Sequence, residues 1–157
     1  MSRILVIYHS RTGHTESMAQ TITESIRTEG LEVDFRRVED TTPEDLLSVD
    51  GVVIGSPTYY GTMAAEVKKL LDDSVKYHGR LDGKVGAAFS SAGSTGQETT
   101  VLSILEALLI HGMIVQGDPQ GHHYGVTTIG KLQEEDITRC KRFAQRYATL
   151  VKRVYGP

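Results

Sequence analysis

The chain has 157 residues, 39% of them hydrophobic and 24% charged, with a net charge of −3. That length suits one domain with a sizeable core, and the scattered Lys and Arg residues make no basic face for nucleic acid. The single cysteine, Cys140, excludes an internal disulfide framework and an all-cysteine iron–sulfur cluster.

In chain order, the first apolar run is Ile4–Tyr8. It is too short for a signal-peptide core or a membrane span, so the expectation is a cytoplasmic protein with a single domain over residues 1–157. Its β-branched character predicts a strand buried on both faces of a parallel sheet. Met18, Ile22 and Ile26 then recur every four residues and predict a helix beginning near Thr15. Leu31–Arg37 alternates apolar with polar residues, as a half-covered edge strand does. After a short polar connection, Val52–Ile54 predicts a third strand, and Ala64–Leu71 a second helix. Val85–Phe89 predicts a fourth strand, followed by a helix opened by Glu98 and Thr99 with Val101, Leu105, Leu108 and Leu109 on its apolar stripe. Met113–Val115 is the next apolar run and the expected fifth strand. The last helix carries Ile137, Cys140, Ala144, Tyr147, Val151 and Val154 at steps of three and four, behind the acidic first turn Glu134-Glu135-Asp136, which suits the helix dipole. Cys140 falls on the inward stripe, as a buried structural thiol would.

Strand and helix alternate about five times, which predicts a doubly wound α/β domain. Ligands in such sheets sit beyond the carboxyl ends of the strands, so the loops after strands one, three and four should converge.

Each of those loops has a composition suited to a ligand. Ser10-Arg11-Thr12-Gly13-His14-Thr15 joins a strand to a helix start, where unpaired N–H groups and the dipole favour an anion such as a terminal phosphate. The Gly-Lys-Ser/Thr ending of a nucleotide-triphosphate loop and the G-x-G-x-x-G of a dinucleotide site are both absent. The alternative is an ordinary helix start with Ser or Thr as N-cap. Gly55–Thr62 carries Tyr59 and Tyr60 between proline and glycine, either to cover a flat aromatic ligand or as a turn packed on its own helix. Ser90–Gln97 offers glycines and hydroxyls, either to approach the edge of a polar ring or as a flexible loop. His122-His123 lacks a carboxylate or cysteine at metal-ligand spacing, and reads as a pair of loop histidines.

Five segments, YHSRTGHTESMA, GSPTYYGTMAAEVKKLLD, SSAGSTGQETT, IHGMIV and YGVTTIG, occur in this order between Tyr8 and Gly130. Through them the chain resembles the flavodoxin-like FMN proteins, and within these the tryptophan-repressor-binding-protein-like NAD(P)H:quinone oxidoreductases. The resemblance implies a five-stranded parallel sheet in the order 2-1-3-4-5 with helices on both faces. It implies that Ser10, Arg11, Thr12, Gly13, His14 and Thr15 hold the FMN phosphate. Pro57, Thr58, Tyr59, Tyr60 and Gly61 would line the isoalloxazine ring, and Ser91, Ala92, Gly93, Ser94, Thr95 and Gly96 would bond its pyrimidine edge. His111 would lie near the ring, from this chain or a neighbouring subunit, as a catalytic group that protonates or hydrogen-bonds the reduced quinone. The residue-level alternative for His111 is a helix-end histidine facing the last carbonyls before Gly112.

The implied function is two-electron reduction of quinones by NAD(P)H in a homo-oligomer, a dimer or tetramer. The chain departs from that pattern in three places. The connection between Arg37 and Gly51 is short, the Gly117–His123 segment is short, and Lys131-Leu132-Gln133 stands where the family has a glycine-rich tail. Compactness of this kind fits a second reading, a flavodoxin-type carrier passing single electrons between redox partner proteins.

Overall fold

The computed structural model describes all 157 residues. The elements are β1 (Arg3–Tyr8), α1 (His14–Thr28), β2 (Glu32–Arg37), β3 (Gly51–Pro57), α2 (Ala65–Asp73), β4 (Val85–Ala92), α3 (Gln97–Ile110), β5 (Thr127–Ile129) and α4 (Glu134–Tyr155). The strands form one sheet in the order β2-β1-β3-β4-β5, and every neighbouring pair is parallel. This is the implied flavodoxin-like topology, with β2 at one edge as its half-buried pattern requires.

Strand periodicity divides the core into two layers. Ile4, Val6 and Tyr8 of β1 face α1 and α4, where they meet Met18, Ile22, Ile26, Cys140, Ala144 and Val151. Leu5 and Ile7, pointing the other way, join Val52, Ile54, Val67, Leu70, Ile104 and Leu108 against α2 and α3. The sheet is closely packed at Gly55, which lies opposite Phe89 in the β3–β4 register. A Cβ there would fall 2.1 Å from the Phe89 ring.

The fifth strand is not where the apolar run predicts. Met113–Val115 forms only a single bridge, Ile114 with Val85. Ile114 donates to the Lys84 carbonyl at 2.8 Å and accepts from Gly86 at 2.9 Å. The chain then leaves the sheet and returns as β5, whose Thr127–Ile129 pair with Ser90–Ala92. Pro119 lacks an N–H for a ladder, and Gly121 and His122 both take positive φ, so the segment between cannot continue a strand. Two positions on the expected helix stripes also differ. Leu109 is 57% exposed and Val154 38% exposed, at the outer margins of α3 and α4. No helix is long and apolar enough to cross a membrane.

Candidate functional site

The loops after β1, β3 and β4 do converge, and specific bonds join them. Thr15 Oγ1 and Ser91 Oγ are 2.8 Å apart, tying the start of α1 to β4. The Thr58 amide donates to the Ser91 carbonyl at 2.8 Å, and Thr99 Oγ1 donates to the Gly61 carbonyl at 2.6 Å. Gly61 and Gly96 lie against each other, since a Cβ on Gly96 would stand 3.1 Å from the Gly61 Cα. Arg11 closes the ring of loops, its guanidinium 4.5 Å from the centre of the Tyr59 ring, an attractive cation–π geometry.

The first loop ends in a helix start with no side-chain cap. Gly13 is the N-cap of α1, in the left-handed region at φ 96°, rather than a serine or threonine. Ser10 Oγ instead accepts from the Gly13 amide at 3.1 Å and shapes the turn. The first amides of α1 are therefore left for another acceptor. Nothing lies within 4 Å of a Cβ placed on Gly13, and Arg11 and Thr12 are exposed beside that space. This chemistry fits a phosphate. His14 is the first residue of α1, and Thr15, only 2% exposed, faces Ser91.

The second loop separates its two tyrosines. Tyr59 and Thr62 exchange backbone hydrogen bonds of 3.0 and 3.3 Å across a tight turn, with positive φ at both Tyr60 (51°) and Gly61 (77°). Such a turn is costly for a tyrosine, and it throws the Tyr60 ring fully into solvent. Tyr59 packs on the α2–α3 core instead; burial first, and the charge of Glu66 after it, raise its phenol, with Arg11 opposing. Ser56, fully buried, accepts from the Ala64 amide at 2.8 Å and fixes the end of the loop to α2.

In the third loop, Ser90, Ser91 and Ala92 belong to β4, so the exposed part is Gly93-Ser94-Thr95, ending at Gly96. Gly96 is the N-cap of α3 at φ 88°, again without a side-chain cap. Nothing approaches within 4 Å of a Cβ on Gly93. A polar ring edge thus has open space, free amides and two hydroxyls before it.

A charged network behind the first loop is not evident from the sequence. Arg37, at the end of β2, donates to the Ser10 carbonyl at 2.8 Å. His9, 6% exposed, has Nδ1 2.5 Å from Glu39 Oε1 and Nε2 3.5 Å from Glu66 Oε2. Burial alone would raise the Glu39 carboxyl, but its backbone hydrogen bond, His9 and Arg37 outweigh that and lower it. Tyr8 extends the network, donating to Glu16 at 2.7 Å. The only local signal for these residues is their place at or beside the carboxyl ends of adjacent strands.

His111 is not brought to these loops within the chain. It caps the far end of α3, and fourteen residues at about 1.5 Å each put it roughly 20 Å from the third loop. It is 7% exposed, with Nε2 2.8 Å from Ser74 Oγ. Ser74 Oγ donates to the Leu71 carbonyl, so His111 Nε2–H donates to Ser74 and Nδ1 is left buried without a partner. Burial, then the nearby His78, lower its pKa. Around it Val75 and Ile110 are 70% and 73% exposed.

Similarity to known proteins agrees with this architecture. The model of the flavodoxin domain matches residues 5–143. A flavodoxin from Aquifex aeolicus is 39% identical over 162 aligned positions, covering 96% of this chain and 88% of that protein. An NAD(P)H dehydrogenase (quinone) from Archaeoglobus fulgidus is 33% identical over 190 positions, covering 98% of this chain and all of that protein. Among solved structures, a flavodoxin from the domain Archaea superposes with a TM-score of 0.80 at 30% identity, over 96% of this chain and 99% of that one. With the sheet order, the three joined loops and these matches in agreement, the chain belongs to the flavodoxin domain family.

Proposed function

We propose that this protein is an FMN flavoprotein acting as an NAD(P)H:quinone oxidoreductase. The uncapped start of α1, with the open space beside Gly13 and exposed Arg11 and Thr12, is the phosphate cradle. Ser10 and His14 complete it, and buried Thr15 positions it through Ser91. Pro57, Thr58, Tyr59, Tyr60 and Gly61 border the ring, and Ser91 to Gly96 border its polar edge. When bound, the flavin would supply the redox chemistry for two-electron transfer from NAD(P)H to a quinone.

The observation that carries the enzymatic reading is the split of the tyrosine pair. Tyr59 is held beneath Arg11 while Tyr60 alone stands free. This loop therefore offers one free aromatic to one face of a flat ring and leaves the other face to a hydride donor or to Tyr124, 45% exposed beside Gln97 and Glu98. His111 contributes only from a second subunit, and the exposed Val75, Leu109 and Ile110 around it supply an apolar contact for a homo-oligomer. The Archaeoglobus relative bears the name of this activity.

The compact loops favour a second reading, a single-electron carrier, because the flavodoxin relative aligns with far fewer added positions than the reductase does. Anaerobic titration of FMN-loaded protein with NADH and NADPH separates the two. Direct bleaching to reduced flavin, reversed by a quinone, is expected for the reductase. Persistent yellow colour with both donors, at full FMN occupancy, refutes it in favour of the carrier.

A further inference from the structure

A separate cavity of about 140 Å³ lies between α4, the first half of β4 and the segment 116–126. Ala87 marks its floor on β4. The five steps from Ala87 to Ala92 span about 16 Å at 3.3 Å each, so its floor lies well below the third loop, while at its upper rim the Val126 carbonyl accepts from the Ser90 amide at 3.2 Å. Its apolar wall includes Val126, Phe143 and Leu150.

Its charged wall is built by α4. Arg139, Arg142 and Arg146, at steps of three and four, all border the cavity. Arg142 donates Nε and Nη2 to the two oxygens of Asp118, each at 2.8 Å. That hydrogen bond, together with the Gln120 amide and the charge of Arg146, holds the Asp118 carboxyl at about 2 against burial. Arg146 has Nε 3.5 Å from the same carboxylate and donates Nη2 to the Gly117 carbonyl at 2.8 Å. Two guanidinium groups therefore face one carboxylate, and Nη1 of each makes no hydrogen bond within the chain. Arg139 is balanced by Glu135 and Asp136. Across these six groups three guanidinium charges meet three carboxylates, so the wall is neutral as a whole, while Arg142 and Arg146 together hold one positive charge beyond Asp118.

His122 adds a neutral donor. Its Nδ1 accepts from the Thr127 amide at 3.1 Å, so the ring proton sits on Nε2. This bond fixes the tautomer in a residue held at a positive φ of 48°.

We propose that this cavity is a binding site for a small aromatic carboxylate. The carboxylate is recognised by Arg142 and Arg146, whose planar forks suit it, and the ring rests on Phe143, Val126 and Leu150. At about 140 Å³ the recess has room for one six-membered ring, and its open side lets the carboxylate reach the two guanidinium groups.

The test is calorimetric titration of FMN-loaded protein with benzoate, with acetate and benzyl alcohol as partial probes. Benzoate is expected to bind once per chain, at least tenfold tighter than either partial probe. Arg146→Gln, which keeps the Arg142–Asp118 pair, is expected to weaken benzoate at least tenfold. Leu150→Phe, which fills the cavity and leaves every charge in place, should do the same. The His122 ring resonances in NMR report whether segment 116–126 remains docked in each variant. Absence of benzoate binding at millimolar concentration overturns the proposal, as does equal binding of acetate or unchanged affinity in a variant with docked His122.

Discussion

Thr15 in the first turn of α1 and Ser91 near the end of β4 share a buried 2.8 Å hydrogen bond across 76 positions of sequence. Both hydroxyls are almost fully enclosed, at 2% and 5% exposure. Each is the other's side-chain partner, so removing one strands the other. Thr15→Val is expected to lower unfolding free energy by about 1–3 kcal/mol, whereas Thr15→Ser keeps the bond and loses less. Urea unfolding of the two variants checks this; equal losses would mean that the methyl, not the hydroxyl, matters.

Thr12 stands exposed beside the open space at Gly13. Thr12→Glu places a carboxylate where a phosphate would sit, and like charges disfavour each other. FMN affinity should fall at least tenfold, read by flavin fluorescence quenching, with unfolding midpoints unchanged in the absence of FMN. Unaltered affinity would move the phosphate away from the first loop.

Two histidines make stability depend on pH. Burial and then His78 lower His111, while burial and then Arg139 lower His122. The unfolded chain takes up these protons near pH 6.5, about the ordinary value, and the folded chain resists. Their contribution is therefore complete above roughly pH 6.5 and is lost as pH falls toward the folded-state values. The urea midpoint should drop between pH 7.5 and 5.5, and His111→Gln should shrink that drop. An undiminished drop in the variant would clear His111 of any part in it.

Cys140 is fully buried, and burial, then Asp136, push its thiol up to about 12. Thiolate is the reactive form, so native protein should resist a thiol reagent such as dithionitrobenzoate. One equivalent should react in denaturant. Rapid reaction of native protein would show that α4 opens readily.

Gly55→Ala should destabilise the fold, because the new methyl meets the Phe89 ring at 2.1 Å. Overpacking of this kind costs about 1–3 kcal/mol. Thermal unfolding of Gly55→Ala beside Gly55→Ala/Phe89→Leu checks the cause, since the smaller partner should recover part of the loss.

The sequence by itself determined the alternation of elements, the inward residues of β1 and α1, and the three loops that meet at one sheet edge. Periodicity is a local property, and Ile4 to Tyr8 or Met18 to Ile26 carry it whatever surrounds them. The apolar run Met113–Val115 misled for the same reason. Whether an apolar run becomes a strand depends on which β4 groups remain to be paired, and segment 116–126 carries the chain past the cavity to pair with Ser90–Ala92 instead. Only the tertiary structure decided that Thr15 faces Ser91, that Tyr59 is tucked under Arg11 while Tyr60 is free, and that His111 lies at the far end of α3. It also decided the grouping of His9, Arg37, Glu39 and Glu66, and that of Asp118 with Arg142 and Arg146. These relationships join residues far apart in the chain, and no short-range pattern encodes a contact whose two halves are set by the packing of different strands and helices.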